Sequence, residues 1–343
     1  MDNIRITLRT LCQEMTVSGY EYRAERMIRE LCSPFFDEIK MDHLGNFVMI
    51  KKSGKENAPK ILLDAHFDNV GMMVTSIENG GFLGITSIGG IDTRVLPATE
   101  VTVYGAKEIY GIISSTPPHL LKGGSGTAPG ISELWIDTGY SKEELEKYVE
   151  IGDIVGYRNK YTELHNNFVT SAGLDDKACV CGIIEAMRLV DASKLSYDVY
   201  VTISAQEETG KCGSARATFG LNPDIAIITD VNFARGDGSP DHETIVCGEG
   251  VSVDISSATD RRLTRNIIKL LTEVGIAHQL ICEPDCTYTN NERLLVNGLG
   301  TRTAVISIPL KSMHTPSETV KLEDIVSLRD VILAILYADK EAL

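Results

Sequence analysis

Residues 61–68, Ile-Leu-Leu-Asp-Ala-His-Phe-Asp, mark the point where the character of this 343-residue chain changes. Residues 61–63 form a continuous apolar run that is typical of a buried strand, and the run leads into His66 and Asp68. Because residues two apart in a strand point to the same face, both side chains are predicted to meet at the strand's end. Open α/β sheets place their sites at such ends.

Helix and hairpin patterns come before this strand. Apolar residues recur at helical spacing and predict an amphipathic opening helix: Ile4, Leu8, Leu11 and Met15. Ser18 and Glu21 form an S-x-x-E capping box, which predicts the start of a second helix. Extended runs at 38–41 and 47–50, separated by turn residues, predict a hairpin.

The pattern changes to β after the strand and then returns to alternating elements. Residues 69–159 are rich in Gly, Thr, Val and Ile between turn signals, which predicts a small β-barrel or sandwich. Farther on, the patterns predict helices at 180–190, 263–274 and 322–335 and strands at 199–205, 225–229 and 304–308. We therefore expect an α/β protein, with a central mixed sheet flanked by helices and an inserted small β-barrel domain. The predicted domains are 1–68 with 160–343, and 69–159.

Composition excludes several functions. The chain has 33 Lys and Arg against 48 Asp and Glu, and a net charge of −15 argues against binding nucleic acid or an anionic membrane surface. No apolar run is long enough to span a membrane, and Arg5 and Arg9 interrupt the position of a signal peptide. The eight cysteines form no C-x-x-C pair, so reduced thiols and a cytoplasmic location are predicted. Residues 122–127, KGGSGT, lack the order of a phosphate-binding loop and predict a flexible surface loop.

Acidic and histidine residues recur near strand ends and helix starts. Besides His66 and Asp68, the chain offers Asp175 with Asp176, Glu207 with Glu208, Asp230 and His314. Asp176 has a simpler interpretation as a helix cap, and an H-x-D pair alone is more often structural. Together, however, carboxylates at such positions need compensation, and a His, Asp and Glu set suits zinc, cobalt or manganese. The +4 charge of two divalent ions would be balanced by three carboxylates, those of Asp175, Glu208 and Asp230, together with a bound hydroxide, which leaves Glu207 free to act as a base.

With these residues the chain resembles a family of dinuclear metallo-aminopeptidases. That family includes glutamyl, leucyl and deblocking aminopeptidases and tetrahedral dodecameric enzymes, and some members carry the name cellulase M. The resemblance spans nearly the whole chain, and its motifs are Ser18-Gly19-Tyr20-Glu21, Gly45-Asn46, Ala65-His66-Phe67-Asp68, Gly90-Ile91-Asp92, Trp135-Ile136-Asp137-Thr138-Gly139, Leu174-Asp175-Asp176, Gln206-Glu207-Glu208-Thr209-Gly210, Asp230 and His314-Thr315-Pro316-Ser317-Glu318.

The resemblance implies a site with two divalent metal ions per chain, with zinc or cobalt favoured and manganese as an alternative. Asp175 would bridge both ions. His66 and Asp230 would complete the ligands of one ion, and Glu208 and His314 those of the other.

The resemblance also implies the chemistry. Glu207 would act as the general base, taking a proton from the attacking water and delivering it to the leaving amine, while Asp68 would orient a metal ligand. The substrates would be short peptides. The inserted β domain would drive assembly of a homo-oligomer, from dimer to dodecamer.

Two segments depart from the family's pattern and keep other functions open. The family's Gly-Gly-Thr-Asp stretch is replaced by residues 285–289, DCTYT, and its Pro-Thr-Arg-Tyr-Ile-His run by residues 309–314, PLKSMH. The alternatives are a related metal-dependent amidohydrolase, such as a deacylase or carboxypeptidase, and an inactive binding or assembly protein. Asp92 and Arg94 could pair with each other or reach a neighbouring subunit. The remaining histidines are predicted to be surface or hydrogen-bonded residues: His43, His119, His165, His242 and His278.

Overall fold

A large mixed sheet forms the centre of the computed structural model, which describes residues 1–114, 117, 128–158, 161–236, 238 and 240–343. The sheet has eight strands, in the spatial order β1 (Glu38–Met41), β2 (Phe47–Lys51), β12 (Asp198–Ser204), β3 (Lys60–His66), β13 (Ile225–Phe233), β16 (Arg302–Leu310), β14 (Ser252–Ser256) and β15 (Gln279–Glu283). β12, β3, β13 and β16 are parallel, so their carboxyl ends lie at one edge. The predicted hairpin is confirmed, because β1 pairs antiparallel with β2.

Helices cover both faces of this sheet. They are α1 (Asp2–Leu11), α2 (Glu25–Cys32), α4 (Leu174–Leu189), α5 (Glu207–Gly210), α6 (Cys212–Thr218), α7 (Arg261–Val274), α8 (Asn291–Leu294) and α9 (Leu322–Tyr337). Alternation along β3 divides the core, since Ile61 and Leu63 pack in the cluster that contains α1, α4 and α9. Leu62 instead packs with Leu294 of α8 on the opposite face. Burial on both faces explains the continuous apolar run.

The β-rich segment folds into a closed six-stranded antiparallel barrel with its own core. Its strands are β4 (Gly71–Ile77), β5 (Phe82–Ile88), β8 (Trp135–Asp137), β7 (Glu108–Ser114), β6 (Glu100–Tyr104) and β9 (Ile154–Tyr157), with the short helix α3 (Lys142–Leu145) before β9. A small sheet of β10 (Thr162–Glu163), β11 (Phe168–Ser171) and β17 (Glu318–Lys321) lies after the barrel in the chain. The predicted fold class is therefore confirmed, while the domain boundaries stay predictions. The boundary at 159–160, the loop at 122–127 and His119 lie outside the described residues.

Two local predictions at the amino terminus are wrong. The opening helix ends at Leu11, and Met15 packs with Val17 and Ile154 in a separate cluster, against a β9 glycine that leaves room for its thioether. The capping box does not form either. The Ser18 hydroxyl bonds the Thr209 hydroxyl, Glu21 opens a 3₁₀ turn, and α2 begins at residue 25. In both cases a distant contact overrides the local pattern.

Two elements are longer than the patterns predict. β13 continues through Asp230 to Phe233, and α4 begins at Leu174 rather than at residue 180. Arg94 donates hydrogen bonds to both carboxylate oxygens of Asp92, so these two residues pair with each other. His43, His165 and His242 are exposed, and His278 Nδ1 lies 2.9 Å from the Ile276 carbonyl oxygen, as predicted.

None of the eight cysteines, each within the described ranges, forms a disulfide. Among the helices that the structure describes, none is both long and apolar enough to cross a bilayer.

Candidate metal centre

The carboxyl ends of the parallel strands bring several of the predicted site residues together. β3 ends at His66, β12 leads into the turn before α5, and β13 carries Asp230. Asp175 stands at the start of α4, where the peptide bond to Asp176 is cis, and His314 follows β16.

These side chains form two groups that could each hold a metal ion, one of His66, Asp175 and Asp230 and one of Asp175, Glu208 and His314. His66 Nε2 lies 2.9 Å from Asp175 Oδ1 and 3.8 Å from Asp230 Oδ1. His314 Nε2 lies 3.4 Å from Asp175 Oδ2 and 3.3 Å from Glu208 Oε1. Asp175 thus turns one carboxylate oxygen towards each group.

The carboxylates create a strongly negative field at both imidazoles. Burial alone would lower the pKa of His66, but its hydrogen bonds to Asp175 and Asp68 and the charge of Asp230 raise it well above its ordinary value. Burial likewise opposes the charge on His314, yet hydrogen bonds to Asp175 and Glu208 raise its pKa to about 11. The groups therefore attract positive charge.

Burial and neighbouring charges also shift the pKa values of the acids in the two groups. Burial, followed by the charge of Asp176, raises the pKa of Asp230 well above its ordinary value, and burial also raises the pKa of Glu208. Burial opposes ionisation of Asp175, but the two imidazoles hold its pKa below the ordinary value. So many buried acids can be ionised together only if cations lie among them. Bound metal ions would supply that positive charge in place of protons. The donor set fits divalent metals of the zinc class.

Asp68 holds the turn that carries the paired glutamates. Its carboxylate is fully buried and accepts hydrogen bonds from the backbone N–H groups of Glu207 at 2.9 Å and Glu208 at 3.1 Å. His66 Nδ1 lies 3.0 Å from the Asp68 carbonyl oxygen and 3.6 Å from its carboxylate. Asp68 therefore contacts both a candidate ligand and the turn.

Glu207 faces the groups without belonging to either. Its Oε1 is buried and has no hydrogen-bond partner among the described residues, and the Nζ atom of Lys211 lies 3.8 Å away. Burial, only partly opposed by the charge of His66, raises the pKa of Glu207 to about 7. A carboxylate with this pKa can both accept and release a proton near neutral pH.

Several supporting residues were not identified as such from the sequence. Glu318 is buried and accepts hydrogen bonds from the backbone N–H groups of Asp175 at 3.1 Å and His314 at 2.8 Å. Glu21 Oε1 accepts from the backbone N–H of Gln206 at 2.9 Å. Gly90 approaches so closely that a Cβ atom there would lie 3.3 Å from His314 Nδ1. The sequence did contain a signal for the role of Glu318, because an acid four residues after the candidate ligand His314 can accept a hydrogen bond from the backbone of that ligand.

Asp176 does not cap α4. No side-chain cap hydrogen bond forms at the start of this helix, where Asp175 and Asp176 have non-helical dihedral angles. Asp176 is instead fully buried behind the site, and burial raises its pKa well above the ordinary value. The helix-cap interpretation was therefore wrong.

A cavity of about 680 Å³ opens from the two groups, a size that suits a small ligand. Its lining includes Lys211, which follows α5, and Arg293 of α8. It also includes Phe233 of β13 and Glu283 of β15. Three residues of the departing segment 285–289 also line it: Thr287, Tyr288 and Thr289.

Comparison with known proteins agrees with this geometry. The profile of the M42 glutamyl aminopeptidase family matches residues 45–331. A lysyl aminopeptidase of Pyrococcus furiosus is 30% identical over 324 residues, which cover 93% of this chain and 92% of that protein. The solved aminopeptidase APDkam598 of Desulfurococcus kamchatkensis superposes with a TM-score of 0.91 at 28% identity, over 99% of this chain and 96% of that one. The Pyrococcus horikoshii TET1 peptidase, which can assemble into a tetrahedron or a large octahedral shell, has a TM-score of 0.86 at 27% identity, over 97% and 99%.

Proposed function

Because this chain belongs to the M42 glutamyl aminopeptidase family, we propose that it removes the N-terminal residue of short peptides with two divalent metal ions and Glu207 as the general base. The family and its named relatives make the chain an aminopeptidase, a hydrolase of peptide bonds. The observation that supports the metal number is the pair of donor groups that share Asp175.

The distances between the donor atoms assign each donor to one of two metal ions. Asp175 would bridge the two ions, since its two oxygens face different groups. His66 and Asp230 would complete one ion's ligands, and Glu208 and His314 the other's. Zinc or cobalt suits these donors, and manganese is the alternative. Such ions, when bound, polarise the scissile carbonyl and make water a stronger nucleophile at neutral pH.

Glu207 would move the proton. Its buried Oε1, which has no hydrogen-bond partner among the described residues, would take a proton from the attacking water and give it to the leaving amine. Asp68 and Glu21 fix the backbone on either side of the residue, through the amides of Glu207, Glu208 and Gln206. A base held in this way loses little entropy when the substrate binds.

The test is Glu207→Gln with metal content measured beside activity. We expect about two metal ions per chain in both proteins, and a fall in kcat of about 10² to 10⁴ in the variant, the usual contribution of a positioned base. Glu292→Gln is the matched control, because Glu292 also pairs with Lys211, at 3.1 Å, and lines the same cavity. Its effect should be far smaller. Unchanged turnover in Glu207→Gln would remove Glu207 from the proposal.

The departing cavity residues favour one rival, a metal-dependent amidohydrolase that acts on blocked substrates. An aminoacyl amide and its N-acetylated twin distinguish the two activities. A free-amine preference supports the aminopeptidase, and preference for the acetylated compound supports the rival. An inactive homologue would turn over neither.

We also propose that the chain forms a homo-oligomer, as the TET1 peptidase does. Mass photometry of the purified protein should show species larger than one chain, from dimers up to dodecamers. A single species at 37.5 kDa would overturn this. The cytoplasmic location stays a prediction.

A further inference from the structure

We propose that Glu283 selects substrates whose N-terminal residue is basic, and this rests on the proposed aminopeptidase function. Glu283 is the last residue of β15 and lines the cavity beside the candidate metal centre. In an aminopeptidase the scissile bond lies at the metals, so the side chain of the first residue enters the adjoining cavity. Its chemistry must then match the cavity wall.

Glu283 is only partly satisfied by the protein. Its Oε1 accepts a hydrogen bond from Asn232 Nδ2 at 2.8 Å. Its Oε2 is buried and has no hydrogen-bond partner among the described residues. Burial disfavours the charged form of this carboxylate and raises its pKa, and a cation that enters the cavity beside Glu283 would offset that effect.

A second buried acid interacts with Glu283. Asp254 is fully buried and accepts hydrogen bonds from the hydroxyls of Ser252 at 2.6 Å and Ser307 at 2.7 Å. Burial, with the charge of Glu283 adding to it, raises the pKa of Asp254 to about 7. The two acids repel each other when both are ionised, and a cationic side chain beside Glu283 would relieve that repulsion.

The spacing matches a long basic side chain. Asn232, which holds Glu283, stands two residues beyond Asp230 on β13 and on the same face of the strand. Two residues of a strand span about 6.6 to 6.8 Å, a distance comparable with the reach of the four-carbon stem of lysine. Phe233 and Tyr288 are exposed aromatic residues that line this cavity, and they could pack against such a stem.

Two cationic side chains, Lys211 and Arg293, also line the cavity. Lys211 Nζ lies 3.1 Å from Glu292 and 3.8 Å from Glu207, so its charge is offset there. Arg293 donates to the Gly210 carbonyl oxygen. The family name and the relative's name specify acidic and basic residues respectively, so they do not decide the preference. The carboxylate of Glu283 is what favours the basic residue.

The experiment compares kcat/KM of the metal-loaded enzyme for aminoacyl p-nitroanilides of lysine, arginine, norleucine and glutamate. Norleucine has lysine's stem without its charge. Wild type should prefer lysine to norleucine, and Glu283→Gln should lower kcat/KM for lysine and arginine by about 10- to 100-fold while changing norleucine little. Glu283→Lys should shift the preference towards glutamate. Glu273→Gln, which removes an exposed charge on α7, is the control for net charge and should keep the wild-type preference.

The outcomes separate this inference from the proposed function. If wild type cleaves norleucine substrates without preferring lysine, or prefers glutamate, Glu283 does not select basic residues although the aminopeptidase assignment stands. If wild type cleaves none of the four, the proposed function itself fails. Should Glu283→Gln not fold, the ratio of the inhibition constants of lysinamide and norleucinamide on wild type decides, and equal constants overturn the inference.

Discussion

The Asp68 carboxylate allows a direct test of how the turn that carries Glu207 and Glu208 is held in place. In Asp68→Asn one of the two acceptor oxygens becomes an amide NH₂, which would face the backbone N–H of Glu207 or Glu208. The variant loses one charge-assisted hydrogen bond and leaves a buried N–H without an acceptor. Together these effects should lower the free energy of unfolding by about 2 to 4 kcal/mol.

Activity should fall as well, because the same N–H groups place Glu207. A displacement of about 1 Å in a positioned group can cost about 100-fold in rate, so we expect kcat to fall by about 10- to 100-fold. Urea unfolding of the metal-free protein measures the first effect, and turnover of a leucine p-nitroanilide at saturating metal measures the second. Metal content should change little if Asp68 acts mainly on the turn.

Glu21→Gln is the matched control. Glu21 Oε1 accepts both of its hydrogen bonds, from the N–H groups of Gly19 and Gln206, while Oε2 has no hydrogen-bond partner among the described residues. A glutamine keeps that one acceptor, so the variant should stay within about 1 kcal/mol of wild type. The reasoning is refuted if Asp68→Asn is as stable and as active as Glu21→Gln. Loss of bound metal without loss of stability would show that Asp68 acts through His66 instead.

Two further predictions concern the metals and pH. His314→Ala should retain about one ion per chain whereas Asp175→Ala should retain neither, as elemental analysis after dialysis would show; equal retention would contradict the sharing of Asp175. Burial raises the pKa of Asp254 to about 7, so the stability it contributes is present below about pH 4 and is lost as pH rises through about 7. Unfolding free energies should therefore shift in favour of Asp254→Asn as pH rises across that window, and a constant difference would rule this out.

Sequence alone predicted the parts of the site that follow from strand geometry. His66 could be placed because an apolar run of buried-strand type stops beside it, and Glu207 and Glu208 because they follow a second such run. Alternation and parallel pairing then imply that such residues share an edge. The same logic placed Asp230 near the edge but ended its strand too early.

The residues that sequence reasoning missed or misassigned act through contacts between distant segments. Ser18 and Glu21 match a local capping pattern, yet they bond Thr209 and Gln206, roughly 190 residues away. Met15 continues a helical stripe, but the barrel supplies its packing partners. No local pattern encodes such pairings, because either partner alone has an adequate local interpretation.

The span of the donor set also has a consequence for the timing of activity. The first of its five residues is number 66 and the last is 314, in a chain of 343. While the ribosome is still adding β16, the earlier donors lack His314 and the set is incomplete. Because His66 is made long before His314, the growing polypeptide should have no hydrolytic activity until His314 has left the ribosome.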